Sequence, residues 1–408
     1  MADTSVGNSA AITGHGEPQK TQVFAFLAMT CLFFLWGFIT VLNDILIPFL
    51  KESFDLSYAQ AMLVQSCFFA AYFIVSPFAG KLIDTVGYQQ GIVLGLLTTA
   101  GGCLLFYPSA ELHVYSLFLM AFFVLAGGIA ILQVAANPYV AALGSQKTAA
   151  SRLNFAQAAN SLGTTVGPIV GAALIFGVAT SDATAVQGPY LMLAAILVVA
   201  AIMFKLIKLP VIASVESSEA QSDENVWDRR PLVLGALAIF LYVGGEVSIG
   251  SFLVNYFAES SIAGLSHEAA GEMVAWYWGA AMIGRIIGAL AMNFVAPTKY
   301  LCVNALIAIV MIAVSMNTSG DIAMWSILAV GFFNSIMFPT IFTLAVKGLG
   351  PLTSKGSGLV CQAIIGGAFI PYFQGLAADS FGIQLSFFVP MLCYVYIGWY
   401  ALRGADQR

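Results

Sequence analysis

The sequence predicts an all-α membrane protein whose twelve transmembrane helices form two pseudo-symmetric six-helix bundles. Composition, repeated apolar segments and one polar interruption near the middle of the chain lead to this fold class. Of the 408 residues, 60% are hydrophobic and only 9% are charged, whereas soluble domains carry roughly 25% charged residues. The mean hydropathy is +0.91. A soluble core cannot bury so much apolar surface, and we expect the chain to lie in lipid.

The apolar segments have the length that a membrane crossing requires. A helix rises about 1.5 Å per residue, so about 20 residues cross roughly 30 Å of hydrocarbon. The predicted spans are 23–50, 58–81, 88–107, 113–143, 150–177, 189–208, 231–257, 269–294, 300–316, 322–346, 356–381 and 385–402. Residues 1–22 are polar and lack the features of a cleaved signal peptide, so we expect a cytoplasmic tail.

Basic residues predict the orientation, because cytoplasmic loops retain Lys and Arg. With the N-terminus inside, all but two of the fifteen Lys and Arg residues fall at the cytoplasmic face. Lys51 is external, and Arg285 lies within the eighth span. We therefore expect both termini in the cytoplasm.

A polar segment divides the chain into two parts of similar length. Residues 210–230 contain several acidic residues and serines and read as a solvated cytoplasmic linker. The linker separates an N-terminal bundle, 23–209, from a C-terminal bundle with a short tail, 231–408.

The two predicted bundles repeat features six spans apart. Asn137-Pro138 in the fourth span corresponds to Asn334 and Pro339 in the tenth. Runs rich in glycine and ending in proline occupy the fifth and eleventh spans, at 163–168 and 366–371. Gly and Pro are common in membrane helices, but the joint pattern resembles the major facilitator plan, in which substrate binds between two bundles near the midplane.

Cysteine and histidine usage argues against several other classes of protein. The six cysteines are dispersed among the spans, which indicates packing rather than disulfides or a metal site. His15, His113 and His267 lie in the tail or at outer helix ends, which excludes a buried histidine proton relay. Without a nucleotide loop or a nucleophile–base pair, we expect no enzyme activity, no cofactor and no nucleic-acid partner.

Two carboxylates within the spans are the candidates for ion coupling. Asp44 lies in the first span and Glu246 near the middle of the seventh, the equivalent helix of the other bundle. A charged residue at mid-helix costs roughly 2.5 to 3.5 kcal/mol on insertion scales, so such residues usually face a cavity and have a function. The alternative role is a buried hydrogen bond between helices.

Uncharged polar and aromatic side chains are the candidates for substrate binding. Amides offer donors and acceptors to sugar hydroxyls, and an aromatic ring can cover an apolar sugar face. The candidates are Asn43, Gln133, Asn137, Gln157, Asn160, Tyr242, Trp278, Asn334 and Gln362. Membrane amides also join helices at roughly 0.6 kcal/mol each, and Trp276 and Trp278 point to different sides, so at most one faces a cavity.

Two further charged residues are candidates for gating. Asp84 lies in the predicted loop 80–87, where it could close the cytoplasmic side through a helix dipole or a basic partner, or remain a solvated charge. Arg285 is predicted to be a cytoplasmic gate or a residue whose side chain reaches toward the interface.

Several motifs together resemble the fucose–proton symporter family and, within it, bacterial glucose/galactose transporters. They are Phe34-Leu35-Trp36-Gly37, Leu42-Asn43-Asp44-Ile45, Gln133 to Tyr139, Asn160-Ser161-Leu162-Gly163, Tyr242 to Val247, Gly331 to Met337 and Phe338-Pro339-Thr340. The resemblance covers nearly all spans and implies an outer-to-inner hexose symporter of the bacterial inner membrane. We expect a monomer, which is the default for this architecture.

The resemblance transfers roles to some positions only. Asp44 matches a coupling aspartate of the fucose symporters, and Asn160 matches an amide that lines their cavity. Their fourth-span glutamate is Gln133 here. We hypothesise that Asp44 and Glu246 carry coupling, with Gln133 as a neutral sugar ligand.

We therefore expect import of a glucose- or galactose-type hexose by proton symport and alternating access. Sodium coupling remains an alternative, as do N-acetylglucosamine or fucose as the substrate and an uncoupled facilitator or exporter of another solute. A non-transporting sugar sensor is disfavoured because the tail and linker are too short for a signalling domain.

Overall fold

The computed structural model describes residues 22–56, 60, 63–175, 183–210 and 225–405. Within them, eleven helices are long and apolar enough to cross a membrane, and α5 is a further long helix. The helices are α1 Val23–Ser53, α2 Leu63–Val86, α3 Tyr88–Glu111, α4 Tyr115–Ala142, α5 Ala149–Ile175, α6 Gln187–Leu206, α7 Arg230–Ala258, α8 His267–Ala291, α9 Pro297–Asn317, α10 Gly320–Asn334 with Met337–Ala345, α11 Thr353–Gln362 with Gly366–Phe381, and α12 Ile383–Ser386 with Phe388–Trp399. The predicted fold class is confirmed.

Helix α2 continues beyond its predicted end. It runs to Val86 and is followed directly by Gly87, whose φ of 81° is a left-handed conformation that favours glycine. The predicted loop 80–87 is therefore wrong, because hydropathy marks the end of the apolar layer and not the end of the helix. Asp84 lies in the last turn of α2.

Besides α12, which is broken at Phe387 near its start, two helices of the C-terminal half are interrupted farther along their length. Helix α10 is broken by a turn at Ser335 and Ile336. Pro339 lies in the first turn of the helical segment that follows. Helix α11 tightens to a 3₁₀ turn at Ala363–Ile365 before continuing. These interruptions place backbone carbonyl groups near the middle of the bundle.

Glycines allow close packing in equivalent helix pairs of the two halves. A Cβ atom at Gly163 of α5 would collide with the Phe34 carbonyl of α1, and a Cβ at Gly366 of α11 would collide with the Phe240 carbonyl of α7. Small residues let helix backbones approach in this way in membrane bundles. The α1–α5 pair and the α7–α11 pair thus repeat one packing arrangement.

The halves contact each other near one end of the bundle, which we name the linker end because the segment between α6 and α7 leaves from it. On one side Ser151 Oγ of α5 donates to the Ala289 carbonyl of α8, at 2.5 Å. On the other, a Cβ at Gly80 of α2 would lie 2.8 Å from the Ser354 carbonyl of α11. Helices α2 and α5 of one half therefore close against α11 and α8 of the other.

Basic residues of the described chain gather at the linker end. They lie at the ends of helices or in the loops there: Lys81, Lys147, Arg152, Lys205, Lys208, Arg229, Arg230, Lys299, Lys347, Lys355 and Arg403. The tail 1–21 and residues 211–224 of the predicted linker lie outside the described residues.

Candidate functional site

A carboxylate, a phenol and a guanidinium meet near the middle of the C-terminal half. Tyr242 and Glu246 are one turn apart on α7, and the Tyr242 hydroxyl donates to Glu246 Oε1 at 2.7 Å. The same oxygen lies 3.8 Å from Arg285 Nη2 of α8. The side chains of Arg285 and Glu246 are only 13% and 12% exposed. A largely buried ion pair therefore joins the predicted coupling carboxylate, Glu246, to the predicted gating residue, Arg285.

Arg285 also holds two other helices, one of them in the opposite half. Its Nη1 donates to Ser161 Oγ of α5, and its Nε donates to the Ser335 carbonyl of α10 at 3.1 Å. Pro339 has no N–H, so it cannot bond the carbonyl four residues earlier, and that carbonyl is Ser335. The proline thus provides the acceptor that positions the guanidinium.

A second polar cluster adjoins the ion pair. Asn334 of α10 is fully buried, and its Nδ2 donates to the hydroxyls of Tyr277 on α8, at 2.6 Å, and Tyr394 on α12, at 3.0 Å. The helices that carry these tyrosines, α8 and α12, both pack against α7, the helix of Glu246. Asn334 Oδ1 has no hydrogen-bond partner among the described residues and remains an acceptor for a hydroxyl.

The N-terminal half contains an amide pair on α4. Gln133 Nε2 donates to the Tyr72 hydroxyl of α2 at 2.6 Å, while its Oε1 has no partner among the described residues. One turn further, Asn137 is fully buried, and neither of its amide atoms has a partner there. Buried polar atoms are normally paired, so these amides have capacity for a polar ligand.

The remaining N-terminal candidates fall into different environments. Asn160 Nδ2 donates to the Phe33 carbonyl of α1 at 3.0 Å, so this amide joins α5 to α1. Gln157 is buried on α5, one turn before Ser161. Asn43 and Asp44 lie on α1, but their side chains are outside the described residues.

The two C-terminal candidates outside the clusters also differ. The ring of Trp278 lies over Gly250 of α7, where a Cβ atom would be 3.1 Å from the ring. Gly250 is one helical turn after Glu246. Trp276 instead packs edge-on against Trp325. Gln362 Nε2 donates to the Phe73 carbonyl of α2 at 3.2 Å, so this amide makes a contact between the halves.

Prolines provide two of the acceptors that α11 uses across the halves. The Phe73 carbonyl lies four residues before Pro77, and the Val134 carbonyl lies four residues before Pro138. Each proline leaves that carbonyl without its helical donor. Ser357 Oγ of α11 donates to the Val134 carbonyl at 2.9 Å, as Gln362 does to Phe73. Both freed carbonyls therefore accept hydrogen bonds that join the two halves.

Asp84 has a basic neighbour, which is one of the two kinds of partner that its gating prediction allowed. Its Oδ2 lies 3.9 Å from Lys355 Nζ at the start of α11, and the two side chains are 25% and 49% exposed. Beyond this contact, a linker-end cavity of about 660 Å³ is lined by residues of both halves, including Gln146 of the N-terminal half and Thr298 of the C-terminal half. No predicted substrate ligand lines that cavity.

Sequence reasoning missed two tyrosines in these clusters, Tyr72 and Tyr394, and the pairing of Arg285 with Glu246. The pairing had a signal, because charges within membrane helices usually occur with a partner. The tyrosine contacts had none, since helix packing alone decides which phenol meets which amide. In the described part of the chain, no group of three or more His, Cys, Asp or Glu side chains could hold a metal ion.

Two repeated sets of six long helices that close against each other at one end and hold polar clusters midway are typical of a membrane transporter. Residues 25–363 match the family model of the Major Facilitator Superfamily. The chain belongs to this superfamily and, within it, to the family of fucose–proton symporters and bacterial glucose/galactose transporters, as the sequence motifs predicted.

Individual relatives cover nearly the whole chain. The glucose/galactose transporter of Brucella abortus is 52% identical over 99% of this chain and 100% of its own length. The putative glucose/galactose transporter of Helicobacter pylori is 48% identical over 96% of this chain and 99% of its own. The L-fucose-proton symporter of Escherichia coli is 32% identical over 97% of each chain.

The fold agrees with solved structures of that symporter. The crystal structure of the fucose:proton symporter in the outward conformation matches with a TM-score of 0.87 at 33% identity, covering 94% of this chain and 99% of that one. A variant of the E. coli fucose:proton symporter matches with the same TM-score at 31% identity, over 95% and 100% of the two chains.

Proposed function

We propose that this protein imports a hexose of the glucose or galactose type by symport with a proton. The observation that carries the proposal is the buried Glu246, bonded by Tyr242 and paired with Arg285, near polar clusters in a transporter fold. The relatives named as glucose/galactose transporters support the sugar, and the relative named as a proton symporter supports the ion.

Asp44 and Glu246 are the coupling carboxylates of this proposal. Gln133 is neutral, so it cannot bind and release a proton, and Glu246 supplies a titratable group in the other half. The charge of Glu246 is already balanced by Arg285, with a 3.8 Å separation. A proton needs only one carboxylate oxygen, whereas sodium would need several oxygen ligands beside a fixed guanidinium. This electrostatic argument favours the proton.

Amide atoms with unused capacity are the proposed sugar ligands. Asn334 Oδ1 in the C-terminal half, and Gln133 Oε1 and Asn137 in the N-terminal half, have no partners among the described residues. A buried amide that stays unpaired costs about 1 to 3 kcal/mol, so it selects solutes with matching hydroxyls. Trp278 offers a flat apolar surface near Glu246.

Coupling is energetically useful for uptake. One positive charge that moves inward across about 100 mV releases roughly 2.3 kcal/mol, enough to concentrate a neutral sugar by a factor of about 50. The clustering of basic residues at the linker end supports a cytoplasmic location for that end, with both termini inside and the protein in the bacterial inner membrane, where we propose it works as a monomer.

Uptake by proteoliposomes tests the proposal. We would measure labelled galactose uptake under an inward proton gradient and then under an inward sodium gradient, with glucose, N-acetylglucosamine and fucose as competitors. We expect accumulation with the proton gradient alone and competition by glucose. Accumulation with sodium would replace the ion, stronger competition by another sugar would replace the substrate, and uptake without gradient dependence would indicate a facilitator.

A further inference from the structure

We propose that Arg285 is the positioning residue that links the protonation of Glu246 to closure of the linker end. This inference rests on the proposed function, because it assumes that Glu246 binds the coupled proton. The feature behind it is that one guanidinium touches a carboxylate of its own half and a hydroxyl of the other half. A change at one contact therefore alters the other.

The three nitrogens of the guanidinium have three different partners. Nε is held by the Ser335 carbonyl, Nη2 faces Glu246 and Nη1 donates to Ser161 Oγ on α5. Gly284, the preceding residue, has no room for a Cβ between α8 and the Phe332 carbonyl of α10. Backbone packing thus holds the base of the side chain, and only Ser161 belongs to the opposite half.

The charge of the unit changes when Glu246 binds a proton. With Glu246 ionised, carboxylate and guanidinium cancel, and the guanidinium is stabilised where it also bonds Ser161. A proton that arrives from the far end converts the carboxylate to a neutral acid and leaves the guanidinium without a counter-charge in a largely buried position. An unpaired cation there is unfavourable, so the protonated form favours a conformation in which water reaches Arg285.

Opening of the linker end provides that water. Ser161 and Arg285 then separate, sugar and proton leave together, and the proton passes from Glu246 to the cytoplasmic water. The ionised Glu246 recovers its pair with Arg285, and the bond to Ser161 forms again as the halves close. The empty carrier is thereby returned to the conformation that faces the far end.

In the described residues, four ionisable side chains lie near Glu246. Tyr242 of the same helix and Arg285 of α8 contact it. Tyr277 of α8 and Tyr394 of α12 belong to the adjoining Asn334 cluster. On α12, Cys393 contacts the neighbouring Gly245.

Helices α10 and α11 bring no further charged side chain close to Glu246 in the described part of the chain. Helix α10 contributes the uncharged Asn334 to the cluster, and the ionisable Lys355 of α11 is paired with Asp84 at the linker end. In the described chain, Glu246 and Arg285 are therefore the pair whose charge balance a proton can change midway through the bundle.

Spin labels can measure closure without any transport. The labels are placed by Gln146→Cys and Thr298→Cys, one in each half at the linker-end cavity, in a protein whose six cysteines are replaced. The distance distribution is recorded from high to low pH, with and without galactose. We expect the open fraction to rise at low pH, and a protein without any such rise would overturn the proposal.

Two serines on α5 provide a matched comparison. Ser161 bonds Arg285, and Ser151 bonds the Ala289 carbonyl, also on α8. Ser151→Ala removes a bond between the halves that involves no charge, so it should raise the open fraction equally at every pH. Ser161→Ala should instead reduce the pH dependence, from about tenfold in the open-to-closed ratio toward about twofold.

Charge variants complete the test. Glu246→Gln should be open to the same extent at all pH values, as the protonated protein is. Arg285→Gln should also lose the pH dependence, and the double variant should recover closure because neither charge remains. Lys355→Gln, measured alongside, should keep the pH dependence. If Arg285→Gln and Ser161→Ala retain the normal pH profile and only shift it, as Ser151→Ala does, the proposal is wrong.

Failure of this inference is distinguishable from failure of the proposed function. Wild-type uptake without a proton requirement would contradict the symport mechanism itself. Normal proton-driven uptake together with unchanged pH profiles in the Arg285 and Ser161 variants would contradict only the role of Arg285.

Discussion

Two tyrosines show how a single amide or carboxylate sets the chemistry around it. In the N-terminal half the amide of Gln133 donates to the Tyr72 hydroxyl, and in the C-terminal half the carboxylate of Glu246 accepts from the Tyr242 hydroxyl. The Tyr72 hydroxyl accepts in its bond and can still donate its hydrogen to a ligand, whereas the Tyr242 hydroxyl already donates its hydrogen to Glu246. In the proposed mechanism, the N-terminal pair therefore binds the sugar and the C-terminal pair binds the proton.

Substitution of Glu246 by Gln should separate coupling from binding. Gln keeps the shape of the side chain but cannot titrate, so we expect gradient-driven accumulation to fall from a factor of about 50 to about 1. Exchange of labelled for unlabelled sugar should continue. Glu259→Gln, at an exposed carboxylate just after α7, is the control and should accumulate sugar normally. Loss of exchange as well would indicate a folding or binding defect.

Substitution of Gln133 by Leu should weaken sugar binding. It removes an acceptor that has no partner among the described residues, and a lost buried hydrogen bond of about 1 to 3 kcal/mol raises KM by roughly 5- to 150-fold. Uptake kinetics give KM directly. Asn304→Leu is the matched control, because Asn304 is a buried amide of α9 that bonds its own helix at the Tyr300 carbonyl. An unchanged KM for Gln133→Leu would remove Gln133 from the sugar site.

Residue type predicted which side chains lie in the buried polar clusters more readily than which groups they contact there. Glu246 and Asn334 were identifiable because polar groups at mid-span must have a reason to be there. Asn160 and Gln362 carry the same signal, yet each donates to a backbone carbonyl of another helix. One sequence cannot distinguish an amide that binds substrate from one that joins helices, since the difference lies in the neighbour.

At the scale of helices, prolines convert local backbone geometry into contacts between the halves. Pro77 and Pro138 free the carbonyls that receive α11, and Pro339 frees the carbonyl that receives Arg285. The repeat of proline in α4 and α10 was visible in the sequence. The donors were not, because they come from helices far away in the chain.

Replacement of Pro138 by Ala should favour opening of the linker end. Alanine supplies the missing N–H, so the Val134 carbonyl gains a helical donor that competes with Ser357. With the Gln146 and Thr298 labels, we expect a larger open fraction at every pH. Pro108→Ala is the control, because Pro108 lies near the far end of α3, and it should leave the distribution unchanged. A closed fraction that does not fall in Pro138→Ala would show that the freed carbonyl is unimportant for closure.

Apolar length predicted the helices well, and their ends less well. The extension of α2 to Val86 and the break in α10 at Ser335 depend on Gly87 and Pro339, which the sequence displays but hydropathy does not weigh. The contact between Asp84 and Lys355 follows from that extension, because the last turn of α2 carries Asp84 to α11.

Substituting Asp84 by Asn tests only a partly exposed pair, so we expect a small effect of at most about 1 kcal/mol on closure.

For the whole molecule, the contacts between the halves are distributed unevenly along the bundle. The cross-half hydrogen bonds of Ser151, Ser161, Ser357 and Gln362 lie from the linker end to the middle. This arrangement agrees with the match to the fucose:proton symporter in its outward conformation. In the proposed alternating access these contacts break, and Arg285 makes one of them beside Glu246.

The side of the membrane that each end faces is a further property of the whole molecule, and it sets the direction of transport. Basic residues gathered at the linker end favour the cytoplasm for that end. In a cysteine-free protein, Glu111→Cys at the far end of α3 should react with a membrane-impermeant thiol reagent on intact cells, and Gln146→Cys only after the membrane is opened. The opposite labelling would invert the topology, and the same proton gradient would then drive export instead of import.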